Sequence, residues 1–287
     1  MLILPFQSYS RLGNRGPRLI NCFAEDALPS SAQPVTLYGS PGIATWGTAP
    51  RMGCRGAIGD ATRCYAVCGT RLYSFNVNGV ATEVGTIPGS DRVRMAYNGT
   101  QLCIVAGGKG YIYTGSGGVV QITDPDFTQY TPIDVTYADG FFLFCAADGN
   151  WWKSALYDGT SYEGDEYDQA AKYADQNVAM IAAEMQIVIA GTSSIEFWHY
   201  SGQSPFPYSR SPNGVAEIGV AARDSLVKDE QGVYFLASDC TVRVIPTTST
   251  EPVRISTHGV EDALCGLLFN AMAYLLHVLR KRGYGTR

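Results

Sequence analysis

One local pattern recurs about every forty to forty-seven residues: an alternating run, a tight turn on Gly, Asp or Asn, and a run rich in apolar, β-branched and aromatic residues. A period of this length with several short strands per unit is typical of β-propeller blades. Because one blade cannot bury its own faces, neighbouring blades must stack. The repeat predicts an all-β fold, a β-propeller-like array of four-stranded meander blades. Its copies are centred on residues 59–67, 97–105, 137–144, 183–190 and 229–236.

The repeat divides the chain into three predicted parts. Residues 1–50 form an irregular N-terminal arm with two short strands, residues 51–264 form the propeller repeats, and residues 265–287 form a C-terminal helical tail. Leu, Ala and Met replace β-branched residues after about residue 258, which favours a helix. Asn270 and His277 interrupt its apolar stretch, so a packing helix is favoured over a membrane span, and no membrane contact is predicted.

Composition and charge set limits on function. Of the 287 residues 46% are hydrophobic and 16% charged, which suits a turn-rich β protein and argues against disorder. The net charge of −5 is unevenly placed: residues 1–55 carry five Arg against two acids, and residues 265–287 carry four basic residues and no acid. The remaining body is acidic, with twelve basic and twenty-four acidic residues. Either the acidic surface is simply solvated, or the basic ends dock on an acidic partner.

The cysteines and histidines predict neither a disulfide framework nor a metal centre. Eight cysteines follow no framework spacing, and the first residues lack a secretory signal, so synthesis in a reducing cytoplasm is expected. Cys64 and Cys68 form a single C-x3-C pair, whereas structural zinc sites need two close pairs. We expect core thiols, no metal and no cofactor.

Motifs of covalent catalysis and nucleotide binding are missing from the sequence. There is no G-x-S-x-G nucleophile motif and no Walker A motif, and the Gly-rich residues 107–110 lie between strands as a turn. We therefore predict that the protein is not an enzyme. The aromatic residues 151–152 and 197–200 could stack on sugars or bases, but filling the wedges between blades is favoured.

The longest non-repeating segment, residues 158–177, is acidic and aromatic. Its acids could bind Ca²⁺ or supply the acid and nucleophile of a glycosidase, but their spacing matches neither site. A solvated loop that contacts partners is favoured, together with the basic N-terminal arm. The predicted protein-contact residues are Tyr162, Glu163, Asp165, Glu166 and Asp168 in the loop, and Arg11, Arg15 and Arg18 in the arm.

Several short motifs, in a fixed order from about residue 8 to 264, resemble those of one family. They are 21–25 with 41–43 (N-x-Y-x-E … P-G-L), 152–160 (W-x-S-x-L-x-D-G-T), 191–206 (G-x-S-T-I-E-x-W … G … P-F), 219–222 and 253–257. In these features the chain is similar to the packaged-DNA stabilisation proteins, or tail accessory factors, of P22-like short-tailed bacteriophages and their prophages.

This resemblance implies a structural virion protein of the tail, made in the cytoplasm of the bacterial host. Such a protein forms a ring, expected to be a hexamer, below the portal and its adaptor. It extends the tail channel, helps anchor the tail needle or spikes, and retains packaged DNA. DNA would pass without specific binding, because an acidic channel surface lacks the cation contacts that supply most affinity. The alternative is a carbohydrate-binding or carbohydrate-active propeller, lectin-like or a tail depolymerase, that uses residues 158–177.

The chain departs from the family pattern in two places. Residues 174–177 read Ala-Asp-Gln-Asn where the family has A-E-x-x-P-D. Family members are also longer and continue in β-structure where this chain becomes helical, which implies a C-terminally shortened member. Truncation, a frameshift in a decaying prophage and a short variant each explain that difference, and a non-functional prophage remnant is a third possibility for function.

Overall fold

The computed structural model describes residues 22–26, 35–39, 42, 44–60, 62–170, 172–173, 175–184 and 186–266. The chain divides into two compact units, one drawn from residues 1–46 and 257–287 and the other formed by residues 47–256. In the first unit, strands β1 (Cys22–Asp26) and β2 (Val35–Gly39) form an antiparallel hairpin, and residues 258–266 are helical. The arm residues Arg11, Arg15 and Arg18, and the predicted helix beyond residue 266, lie outside the described residues.

The second unit contains five four-stranded antiparallel sheets, each a simple meander in chain order. This confirms the all-β class and the four-stranded blades predicted from the repeat. Blade 1 consists of β3 (Cys54–Gly59), β4 (Cys64–Cys68), β5 (Arg71–Phe75) and β6 (Ala81–Thr86), and blade 2 of β7 (Arg94–Tyr97), β8 (Leu102–Ala106), β9 (Lys109–Tyr113) and β10 (Val119–Gln121). Blade 3 consists of β11 (Pro132–Ala138), β12 (Phe141–Ala146), β13 (Asn150–Lys153) and β14 (Tyr167–Gln169). Blade 4 consists of β15 (Asn177–Ala183), β16 (Gln186–Gly191), β17 (Ile195–Tyr200) and β18 (Tyr208–Ala216), and blade 5 of β19 (Val227–Lys228), β20 (Gly232–Leu236), β21 (Val242–Pro246) and β22 (Val253–Arg254).

The first strands of the blades surround a common axis. Strand β7 contacts β3 and β11, and β15 contacts β11 and β19, so first strands are neighbours from blade to blade. At the start of blade 5, Asp224 pairs with Arg94 of blade 2 at 2.9 Å and with nearby Arg92 at 3.5 Å. Arg223 donates to the carbonyl of Ile133 in blade 3 at 3.1 Å. Contacts between blade 5 and blades 2 and 3 mean that the array curves around its axis.

The recurring sequence motif is the turn between the first and second strand of each blade. In blades 1, 2 and 5 an Asp or Asn carboxylate or amide oxygen accepts backbone N–H groups two and three residues later; Asp60, for example, accepts from Thr62 at 2.7 Å and Arg63 at 2.9 Å. In blade 3, Asp139 (φ 52°) and Gly140 (φ 88°) both have positive φ, as a type I′ hairpin requires. We call this side of the propeller the first-turn edge. Its described residues are 60, 62–63, 98–101, 139–140, 184 and 229–231.

Large aromatic side chains fill the wedges between blades. Trp152 lies with Phe127 and Phe144 between blades 2 and 3, and Trp151 meets Trp198 edge to face at 5.0 Å between blades 3 and 4. All five rings are buried, as predicted for the tryptophans of both segments, whereas Tyr200 of the second segment is 50% exposed and does not fill a wedge. Phe127 comes from a short helix, α1 (Pro125–Thr128), in the connection between the blades. These wedges hold the blades in fixed positions relative to one another.

Candidate interaction site

The predicted contact loop is partly built into the protein interior. Tyr162 is only 5% exposed, its ring lies 4.8 Å from that of Phe127, and its hydroxyl donates to the carbonyl of Gly159 at 2.8 Å. Burial, with the nearby Cys103 thiol, raises the pKa of Tyr162 well above its ordinary value. Tyr162 therefore fills the wedge between blades 2 and 3 and is not a surface contact. The prediction is corrected here, because an aromatic ring beside an apolar cluster is more stable buried than hydrated.

Glu166 also has a partner inside the chain. Its carboxylate pairs at 2.5 Å with the ammonium of Lys153, whose side chain is 6% exposed, while the Glu166 side chain is 19% exposed. The same ammonium lies 4.6 Å from the centre of the Phe141 ring. A buried lysine needs a nearby anion, because desolvation of an unpaired charge is costly. Glu166 thus has a structural role in blade 3.

The other three acids differ in their exposure. Asp168 is half-buried in β14, and its carboxylate accepts from the N–H of Gln169 at 2.7 Å. Glu163 and Asp165 are exposed to solvent. The loop therefore offers two of its five predicted residues as exposed side chains. Among the residues that the structure describes, no group of His, Cys, Asp and Glu is arranged to hold a metal ion.

An aromatic patch that the sequence did not single out lies on the first-turn edge of blades 3 and 4. Leu156 and Tyr157 lie over Gly140, so close that a β-carbon at that glycine would meet both side chains. The hydroxyl of Tyr208 donates to the Asp139 carboxylate at 3.0 Å, and the Tyr208 ring meets that of Tyr200 at 5.6 Å. The turn at 139–140, the loop residues Leu156 and Tyr157, and the adjoining ends of strands β17 and β18 thus form one continuous surface.

Most of this patch is open to solvent. Leu156 is 55% exposed, Tyr157 67% and Tyr200 50%. Tyr157 also has a φ of 60°, a left-handed conformation that a bulky side chain rarely adopts. Such strain persists only where the surroundings impose it, and it is common at binding sites. The chain therefore holds an exposed aromatic side chain in a conformation that it would not adopt spontaneously.

The surroundings of the patch are acidic. The first-turn edge carries the exposed acids Asp60, Asp139 and Glu184, together with the adjacent pair at 229–230. Among the described residues of these turns, Arg63 is the exposed cation. The patch thus combines apolar and aromatic side chains with negative charge, which favours a cationic ligand that can stack on tyrosine rings.

Five meander blades around one axis define the architecture of a β-propeller. The family model described as "Bacteriophage P22 Gp10, beta-propeller" matches residues 20–276, and the chain belongs to this phage stabilisation family. This confirms the resemblance that the ordered motifs indicated.

Solved structures agree with the fold. The computationally designed Ika8 protein is 15% identical, with a TM-score of 0.54 over 84% of this chain and 73% of that chain. A streptogramin B lyase is 14% identical, with a TM-score of 0.51 over 74% of this chain and 71% of that chain. Identities this low concern the fold alone. No curated protein matches the chain in sequence.

The family-like motif that begins at residue 191 contributes mainly to turn formation and packing. The backbone N–H groups of Ser193 and Ser194 donate to the Asp175 carboxylate at 2.8 and 2.9 Å. Glu196 is buried and accepts from the N–H of Lys172 at 2.8 Å, and Trp198 is buried in the wedge against blade 3. This motif therefore identifies the fold of blade 4. Among the described residues, no helix is long and apolar enough to cross a bilayer.

Proposed function

We propose that this protein is a non-enzymatic structural component of the phage tail. It docks below the portal and its adaptor, contacts the tail needle or spike proteins, extends the tail channel and helps to retain packaged DNA. Membership of the phage stabilisation family over residues 20–276 carries this proposal.

The physical character of the molecule supports such a role. Buried apolar clusters between successive blades join the five blades into one packed body, and rigid surfaces lose little conformational entropy when they dock. Acidic residues at the first-turn edge would repel the DNA backbone, so this surface would let DNA pass without holding it.

The test uses DNA-filled phage heads that lack the tail module. Purified full-length chain is added, and binding is measured by co-sedimentation while nuclease-sensitive DNA reports leakage. Stoichiometric binding that slows leakage is the expected result. Intrinsic tryptophan fluorescence verifies that the chain is folded, since Trp151 and Trp152 are buried. A folded chain that neither binds heads nor slows leakage would overturn the proposal.

A matched variant separates docking from non-specific charge effects. Glu163→Gln with Asp165→Asn removes the two exposed loop charges and leaves the internally paired Glu166 in place. If this loop contacts the neighbouring virion protein, head binding is expected to weaken about tenfold. The control Asp148→Asn removes an exposed acid from the turn between β12 and β13.

A further inference from the structure

We propose that the exposed aromatic patch formed by Asp139, Leu156, Tyr157 and Tyr200 is the docking surface for the N-terminal arm of a second copy of this chain. The proposal rests on the proposed function, which requires several copies to assemble. It assigns a specific contact to that assembly.

The chemistry of the patch suits arginine. A guanidinium group stacks on tyrosine rings and forms paired hydrogen bonds with a carboxylate. Tyr157 lies over Gly140, the residue that follows the exposed Asp139. Tyr200 meets the ring of Tyr208, whose hydroxyl donates to Asp139, and the Tyr157 and Tyr200 side chains are both exposed. Tyr208 donates to one oxygen of that carboxylate, and a carboxylate can accept several hydrogen bonds. Leu156 adds an apolar contact.

The N-terminal arm supplies complementary chemistry. Residues 1–24 contain Arg11, Arg15 and Arg18 and no acid, and Leu12 lies beside the first arginine. Within an acidic protein of net charge −5, this is a purely cationic segment. The first-turn edge has the opposite charge. Charge complementarity of this kind sets the register of an interface and speeds association.

Covalent geometry sets the longest distance that the arm can bridge between two copies. The twenty-one residues before β1 can span at most about 70 Å when fully extended. The arm and the patch are different surfaces, so the contact is head-to-tail. Repeated contacts of this type generate rings when the rotation closes.

The experiment measures self-association and arm binding separately. Sedimentation of the full-length chain at low and physiological salt reports assembly. A fluorescent peptide of residues 6–18 is then titrated into full-length R11E/R15E/R18E protein, and anisotropy reports binding. The patch variant is Tyr157→Asn with Tyr200→Ser, because asparagine tolerates the left-handed backbone at 157. The control variant is Tyr173→Ser, which removes an exposed tyrosine from the connection between blades 3 and 4.

The expected results are specific. Wild-type assembles, and both R11E/R15E/R18E and the patch variant weaken assembly by at least about tenfold, whereas Tyr173→Ser changes it less than about twofold. The peptide binds the arm variant, and binding is lost when the patch substitutions are added. A peptide with Lys in place of Arg binds more weakly, because ammonium groups stack poorly.

Other outcomes overturn the proposal. Assembly that is unaffected by the patch variant, or peptide binding that survives it, excludes this surface. Binding of a neutral oligosaccharide without arm binding would assign the patch to a glycan. Head docking with no peptide binding would refute this contact and leave the tail role intact. Peptide binding without head docking would support this contact and refute the tail role.

Discussion

Replacing Glu166 by Gln should destabilise the protein strongly, although Glu166 lies in a loop that the sequence suggests is solvated. The substitution leaves the Lys153 ammonium, whose side chain is 6% exposed, without its carboxylate. Breaking a buried pair costs about 3–5 kcal/mol. Because the Glu166 side chain retains 19% exposure and the Phe141 ring also stabilises the ammonium, we expect about 3 kcal/mol, at the lower end of that range.

The assay is urea unfolding followed by tryptophan fluorescence. The double variant Lys153→Met with Glu166→Gln removes the stranded charge and should recover stability to within about 1 kcal/mol of the wild type. Glu163→Gln is the control and should change the free energy of unfolding by less than about 0.5 kcal/mol. If Glu166→Gln unfolds at the wild-type urea concentration, or the double variant is as unstable as Glu166→Gln, the buried-pair argument fails.

Three further predictions concern the wedges and the axis. Phe127→Ala empties a site that is 1% exposed and should lower the free energy of unfolding by about 3–5 kcal/mol, measured in urea; a loss below 1 kcal/mol would contradict the wedge argument. Tyr208→Phe removes a hydrogen bond between buried and exposed groups and should cost about 1 kcal/mol by the same measurement, with an unchanged midpoint as the refuting result. Burial raises the pKa of Asp134, and the charge of Arg94 opposes that rise. The contribution of Asp134 to the free energy of unfolding is therefore fully present below its unfolded pKa of about 4 and is lost as the pH rises through its folded pKa. Arg94→Met should raise that folded pKa further, so its melting-temperature deficit relative to Arg92→Met should widen from pH 4 to pH 7; a constant deficit would refute this.

The blade array could be predicted from sequence because its signal is local. An Asp or Asn oxygen that accepts N–H groups two and three residues later closes a turn by itself, as Asp60 and Asp229 do. Three turns of this kind, in blades 1, 2 and 5, together with the turns at 139–140 and 184, therefore predicted a repeated meander, although they did not fix the number of blades. The burial of the tryptophan pair at 151–152 could also be predicted, because large aromatic side chains in a β-rich chain usually pack in the core.

The candidate site was less accessible to sequence reasoning. Tyr162, Glu166 and Asp168 stand among exposed acids in the sequence, and no local pattern distinguishes a buried ring or a paired carboxylate from a solvated one. Lys153, the partner of Glu166, is in a different strand. A signal did exist for the aromatic patch: Tyr157 follows Leu156 in a loop between strands, where two large apolar residues are unusual unless they are buried or bind something.

The sequence by itself determined the all-β class, the repeated meander blades and the family, because turn chemistry, strand alternation and motif order are properties of short segments. The tertiary structure decided the number of blades, which is five among the described residues. It also decided which side chains of those segments face solvent. It buried Tyr162 and paired Glu166 with Lys153. It also placed Tyr157 over Gly140 and linked Tyr200 to Asp139 through Tyr208, although these residues belong to separate turns and strands. Burial and charge pairing depend on distances between segments far apart in the chain, and only the packed blades fix those distances.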